Sequence, residues 1–81
     1  MSYTQDNLAE LNVLLRFNLA TSLEGIKIHH TADPAVIAAA KRLHERGFIT
    51  LVDGGYLTPF GSQAVEHVKT LHAMLNAHSK V

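Results

Sequence analysis

Leu8, Leu11, Leu15 and Leu19 recur at helical intervals near the start of the chain. This spacing predicts a helix over about residues 5–19, opened by Thr4 as N-cap with Gln5 and Asp6 in its first turn. Ala9, Val13, Phe17 and Ala20 form a second apolar stripe on nearly the opposite side. A surface helix normally carries one stripe, so two imply burial on both sides. Either the core wraps this helix, or its second face meets another subunit.

Residues 21–30, "TSLEGIKIHH", carry two overlapping patterns. Ser22 is placed to cap a short helix holding Leu23 and Ile26, whereas Ile26 and Ile28 alternate as in a strand. The helix is the favoured reading, although Gly25 weakens it by about 1 kcal/mol relative to alanine. The next segment is clearer. Asp33 caps, Pro34 takes the first helical position and Gly47 ends a helix whose last turns hold Lys41, Arg42 and Arg46. Val36, Ile37, Ala40 and Leu43 face inward; Ala35, Ala38, Lys41, Arg42, Glu45 and Arg46 face outward.

"FITLVDGGYLT" then reads as two short strands around a glycine turn. A three-residue loop of Asp53, Gly54 and Gly55 would set Leu51 opposite Leu57 and Val52 opposite Tyr56. Ile49, Leu51 and Leu57 would then point inward. Thr58 caps a last helix that starts at Pro59 and runs to about residue 77, with Phe60, Ala64, Val68, Leu71 and Leu75 as its core stripe. The expected fold is mostly α with a small β-hairpin, in the order α-α-α-β-β-α. It forms one domain over residues 1–81: an N-terminal helix (1–20), a helix-turn-helix-like unit (22–46), a hairpin (48–58) and a C-terminal helix (59–77).

Composition adds limits. With 81 residues, 47% of them hydrophobic, the chain can build a core. Domains of this size bury only ~60–65% of their unfolded surface, so a second subunit is a natural source of further burial. No stretch is apolar enough for a membrane span, and "MSYTQDN" lacks the features of a secretory signal. The expectation is a soluble cytoplasmic protein with no membrane partner. The absence of cysteine excludes disulfides and thiolate chemistry. Seven basic and seven acidic residues balance overall, which argues against a strongly electrostatic nucleic-acid binder. The middle of the chain is nonetheless mildly basic, through Lys27, Lys41, Arg42 and Arg46.

"AAAKRLHERGFIT" followed by "DGGYLTPFG" resembles the recognition helix, wing and C-terminal helix start of winged helix-turn-helix regulators of the MarR and PadR kinds. "SLEGIKIHHTAD" stands where the first half of the helix-turn-helix falls, so the resemblance covers about residues 22–75. It implies a DNA-binding or transcription-associated protein that dimerises through terminal helices. "ELN", "GIKIHH" and "DGGYLT" also resemble a family of small uncharacterised bacterial proteins, which implies no particular activity. Three places depart from the regulator pattern. The recognition helix opens with Ala35, Ala38 and Ala39 in place of residues that read base edges, Asp53 stands at the wing tip where a cation is usual, and His30, Thr31 and Ala32 occupy the turn where glycine is favoured.

The DNA contacts expected from these residues are Lys27, Lys41, Arg42 and Arg46, directed at the phosphate backbone more than at bases. The expected dimer or partner contacts are Val13, Phe17, Leu71 and Met74. The alternative function is a non-enzymatic homodimeric interaction module that binds no nucleic acid. His67 and His72, five apart, diverge around a helix, and adjacent His29 and His30 point in different directions, so no metal site is expected. No serine has a nucleophile-elbow context and no acid–base pair is readable, so no enzyme activity, cofactor or small-molecule ligand is expected. Double-stranded DNA and a second copy of the chain are the partners to look for.

Overall fold

The computed structural model describes residues 2–19 and 24–77. The chain runs α1 (Gln5–Leu14), β1 (Ile26–Lys27), α2 (Pro34–Glu45), β2 (Ile49–Leu51), β3 (Gly54–Leu57) and α3 (Pro59–Asn76). It is mostly helical, with one small antiparallel sheet in the order β1-β3-β2 and a winged-helix-like arrangement.

Each helix begins where its capping residues dictate. The Thr4 hydroxyl accepts from the Asn7 N–H at 3.0 Å while the Asn7 side-chain oxygen accepts from the Thr4 N–H at 3.2 Å, a reciprocal pairing that satisfies two otherwise orphaned donors. Asp33 accepts from the Ala35 N–H at 2.8 Å, ahead of Pro34. Thr58 accepts from the Gly61 N–H at 2.9 Å, ahead of Pro59.

The first helix stops at Leu14, short of the expected residue 19. The Arg16 N–H turns back to the Val13 carbonyl and the Phe17 N–H to the Leu14 carbonyl, at 3.0 and 3.2 Å. These tighter i→i−3 bonds end the helix and carry Phe17 into the core. Val13 and Phe17 are each 1% exposed and pack with Leu14, Ile28, Ala39, Ala40, Leu43, Ile49 and Val65. This corrects the expectation that Val13 and Phe17 contact a partner. The Ala9–Val13–Phe17 stripe is the inward one, and Leu8, Leu11 and Leu15 lie on the outer side.

The favoured helix over residues 21–30 is also corrected where it can be seen. Ile26 pairs with Gly55 and Lys27 with Gly54, which makes β1 the third strand of the sheet. Ser22 and Leu23 lie outside the described residues. The strand wins because β3 offers an open edge, and because Gly54 has no Cβ to hold β1 away. A Cβ on Gly54 would press into the Ile26 carbonyl.

The hairpin turns at Val52–Asp53, one residue earlier than the glycine loop expected. Ile49 pairs with Leu57 but Leu51 pairs with Gly54, so Thr50 faces two residues of β3 across a bulge. The Thr50 hydroxyl accepts the Tyr56 N–H at 2.9 Å, supplying the partner that the ladder lacks. Gly55 has φ +73°, a left-handed conformation open to glycine at little cost. This register turns Leu51 outward, to 54% exposure, and leaves Ile49 as the buried residue of β2.

Only the first half of α3 joins the core. Gly61 and Val65 are buried, Ala64 and Val68 half-buried. Gly61 lets the helix start lie against the Phe48 backbone, where any Cβ would overlap the Phe48 carbonyl. Phe60, expected inside, instead stacks on Phe48 at a ring separation of 4.7 Å and remains half exposed. Leu71 and Leu75, also expected in the core, are 44% and 75% exposed.

Candidate functional site

The four cations expected at a DNA face do not share one open surface. Arg42, set outward by helical periodicity, reaches back along α2 to α1. Its Nε donates to the Glu10 carboxylate at 2.6 Å and its Nη2 lies 3.7 Å from Asp6. Arg46, one turn later, places Nη1 3.4 Å from the other Glu10 oxygen. Asn7 adds a third donor at 3.3 Å. Glu10 is the buried charged residue among those described. Burial alone would raise its carboxyl pKa. The hydrogen bonds from Arg42 and Asn7 and the charges of Arg46 and Arg42 outweigh burial and hold it below its ordinary value.

Lys27 is paired as well. Its ammonium sits on the Asp53 carboxylate at the hairpin tip, and this hydrogen bond holds Asp53 below its ordinary pKa. The Ile28 N–H donates to the Asp53 carbonyl at 2.8 Å, so β1 and the wing tip are joined by backbone and side chain together. Among the described residues Lys41 has no ion-pair partner. It stands with Lys27, His29 and His30 at the edge of a groove of about 300 Å³ between α2 and the wing, floored by Ile28 and Ala40.

A second groove, of about 290 Å³, runs between α1 and α3. Tyr3, Leu8, Leu11 and Leu15 form one wall; Val68, Leu71 and Leu75 form the other, with Asn12, His67 and His72 as its polar groups. Among the described residues, no Asp, Glu, Lys or Arg lines it. Beyond it α3 overhangs the core, and Met74 and Leu75 are 71% and 75% exposed. Of the expected partner contacts, Leu71 and Met74 are therefore on this surface and Val13 and Phe17 are not. Leu8 was missed because both stripes of α1 are apolar in the sequence, and Tyr3 because it precedes the helix and belongs to neither. His78, at the far end of the α3 stripe, lies outside the described residues.

Among the described residues, no three His, Asp or Glu side chains are grouped to hold one metal ion. Nor is any described helix long and apolar enough to cross a membrane.

The domain is thus a small winged-helix-like scaffold with a charge-paired face and an apolar face. Over residues 1–76 the chain matches a family of unknown function, DUF5669, and it belongs to that family. No curated protein and no solved structure matches it.

Proposed function

We propose that this chain is a non-enzymatic, homodimeric protein-interaction module built on a winged-helix-like scaffold and working in the cytoplasm. One observation carries the reading: Tyr3, Leu8, Leu71 and Leu75 are exposed and line the α1–α3 groove, and Met74 is exposed on the same half of α3. Large apolar side chains gathered in the open along one groove mark an interaction surface. Burying one such leucine or methionine contributes about 1.5–3 kcal/mol. Sedimentation equilibrium tests the reading. A dimer is expected at micromolar concentration, weakened roughly tenfold or more by Met74→Glu and unchanged by Val52→Glu on the wing. A wild-type chain that stays monomeric at high micromolar concentration would sink the proposal.

A second reading, backbone-directed binding of double-stranded DNA, is favoured by Lys41 standing without an ion-pair partner beside Lys27, His29 and His30. Arg42 and Arg46 add less to it than their charges suggest, because both already donate to Glu10. An NMR titration with a short random duplex at low salt tests it. Shifts at Lys27, Lys41 and the wing that fade as salt rises support DNA contact. An unmoved spectrum at millimolar duplex removes it.

A further inference from the structure

The groove between α2 and the hairpin tip joins two kinds of surface. Ile37, Ala40 and Lys41 stand three and four apart on α2, so one helix face brings two apolar side chains and an amine to it. Ile28 and Ala40 are buried at its floor. Ile37 and Val52 line it outside the core cluster, 37% and 51% exposed. His29 and His30, just past β1, are exposed with Lys41 around the same opening. One edge is already fixed in place. The Ile28 N–H donates to the Asp53 carbonyl at 2.8 Å, and the Lys27 ammonium holds the Asp53 carboxylate. An edge set before binding has less freedom to lose when a ligand arrives. With Lys27 and Asp53 paired to each other, the charge this lining offers a ligand is the positive charge of Lys41.

Cation and apolar lining together select among anions. A phosphate backbone would pair with Lys41 and make no use of Ile37 and Val52. A peptide with a glutamate beside a leucine uses both, the carboxylate against the amine and imidazoles and the apolar side chain against the floor. At about 300 Å³ the groove is at the small end of ligand sites, room for a side chain or two of an extended segment. We propose that this groove takes a short acidic segment of a partner protein, with Lys41 holding its carboxylate and Ile37 and Val52 flanking a neighbouring apolar side chain. The site rests on the interaction-module reading and not on the dimer, because it lies apart from the α1–α3 groove and shares no lining residue with it.

An NMR titration of the full chain with a capped peptide of alternating glutamate and leucine tests it. Amide shifts at His29, His30, Ile37, Lys41 and Val52 are expected. Glutamine in place of the peptide's glutamates should weaken binding roughly tenfold, and so should Lys41→Gln or Ile37→Ser in the chain, as for one lost charge-assisted hydrogen bond or one lost apolar contact. Val52→Ser on the hairpin gives a second apolar variant, and circular dichroism verifies the fold of each. Sedimentation of the same variants should leave the dimer unchanged, so a failure of the dimer and a failure of this groove are read separately. Nothing moving at millimolar peptide, or shifts gathered along α1 and α3, would overturn the proposal. Binding abolished by Lys41→Gln yet indifferent to Ile37→Ser and Val52→Ser would overturn it as well, since that is the behaviour of a bare anion site such as a duplex would use.

Discussion

The Glu10 carboxylate of α1 accepts a 2.6 Å hydrogen bond from Arg42 Nε of α2, thirty-two residues further along the chain. Arg46 donates to the other oxygen of the same carboxylate. A buried acid with two guanidinium partners helps to fix how α1 lies on α2, because removing it would take away the acceptor that both share. Glu10→Ala should therefore lower stability by about 2 kcal/mol, the range of a charge-assisted hydrogen bond. In a domain of this size that is a fall in melting temperature of roughly 10 °C. Urea unfolding monitored by circular dichroism measures it, and an unchanged midpoint would show that the cluster contributes nothing.

The same cluster sets an acid limit. Glu10 and Asp53 both have folded-state pKa values below their ordinary ones. The unfolded chain thus takes up these protons at a higher pH than the folded chain does. Their contribution is fully present above the unfolded carboxyl values and is lost as pH falls through the folded ones. Stability should be level near neutrality and fall on acidification below about pH 4.5. Glu10→Gln should flatten that fall. An equally steep decline in the variant would assign the acid sensitivity to other groups.

Phe17 is a core residue, so truncating it should cost folding before it affects association. Phe17→Ala is expected to destabilise by about 3–5 kcal/mol, as for large aromatic truncations in cores. Met74→Glu should leave the melting temperature of the monomer nearly unchanged. Thermal unfolding of both at low protein concentration separates the two roles. A mild effect of Phe17→Ala on stability with a large one on the dimer would restore Phe17 as a contact.

Gly61→Ala should be more costly than an alanine at an ordinary helical site. The added methyl would have to displace the Phe48 backbone, on which β2 and the α3 cap both depend, because the Thr58 N–H donates to the Phe48 carbonyl at 3.1 Å. A loss of about 1–3 kcal/mol is expected, as for overpacked cores. Stabilisation would mean that the helix start has room to shift.

Asp53 offers a test of the DNA reading that leaves the core alone. Asp53→Ala releases Lys27 and removes the acid from the wing tip, so low-salt duplex affinity should rise, whereas Lys41→Ala should lower it. Fluorescence anisotropy with a labelled duplex compares them. Identical affinities in wild type and both variants would take DNA away from this face.

The helix starts were legible in the sequence because each is a local event. Asp33–Pro34 and Thr58–Pro59 place a side-chain acceptor and a preset φ next to the donors they serve, and the structure begins α2 and α3 there. Which stripe of α1 faces the core was not legible. Leu8–Leu11–Leu15 and Ala9–Val13–Phe17 are both apolar, and the choice is made by what α2 and α3 present. The periodicity of α3 likewise marks an apolar face without saying whether its own core covers it; Val65 is covered and Leu75 is not. The outward position of Arg42 was correct for its Cα and misleading for its guanidinium, since a long side chain can fold back to an acid whose distance in sequence hides it. The bulge at Thr50 sits within the β2–β3 pairing and moves the turn to Val52–Asp53, which the glycine pair by itself does not reveal.

The overhang of α3 also separates the backbone of one helix into two regimes of solvent access over time. The amides around Gly61 and Val65 lie under the core and open only when much of the domain unfolds. Among the described residues, those from Leu71 onward are held chiefly by the helix's own turns, and short helical ends fray readily in water. In a lone chain their hydrogens should exchange with deuterium far sooner than those eight residues earlier. In an associated chain the two halves should be protected alike, so the isotope uptake of one helix reads out its state of assembly in dilute solution.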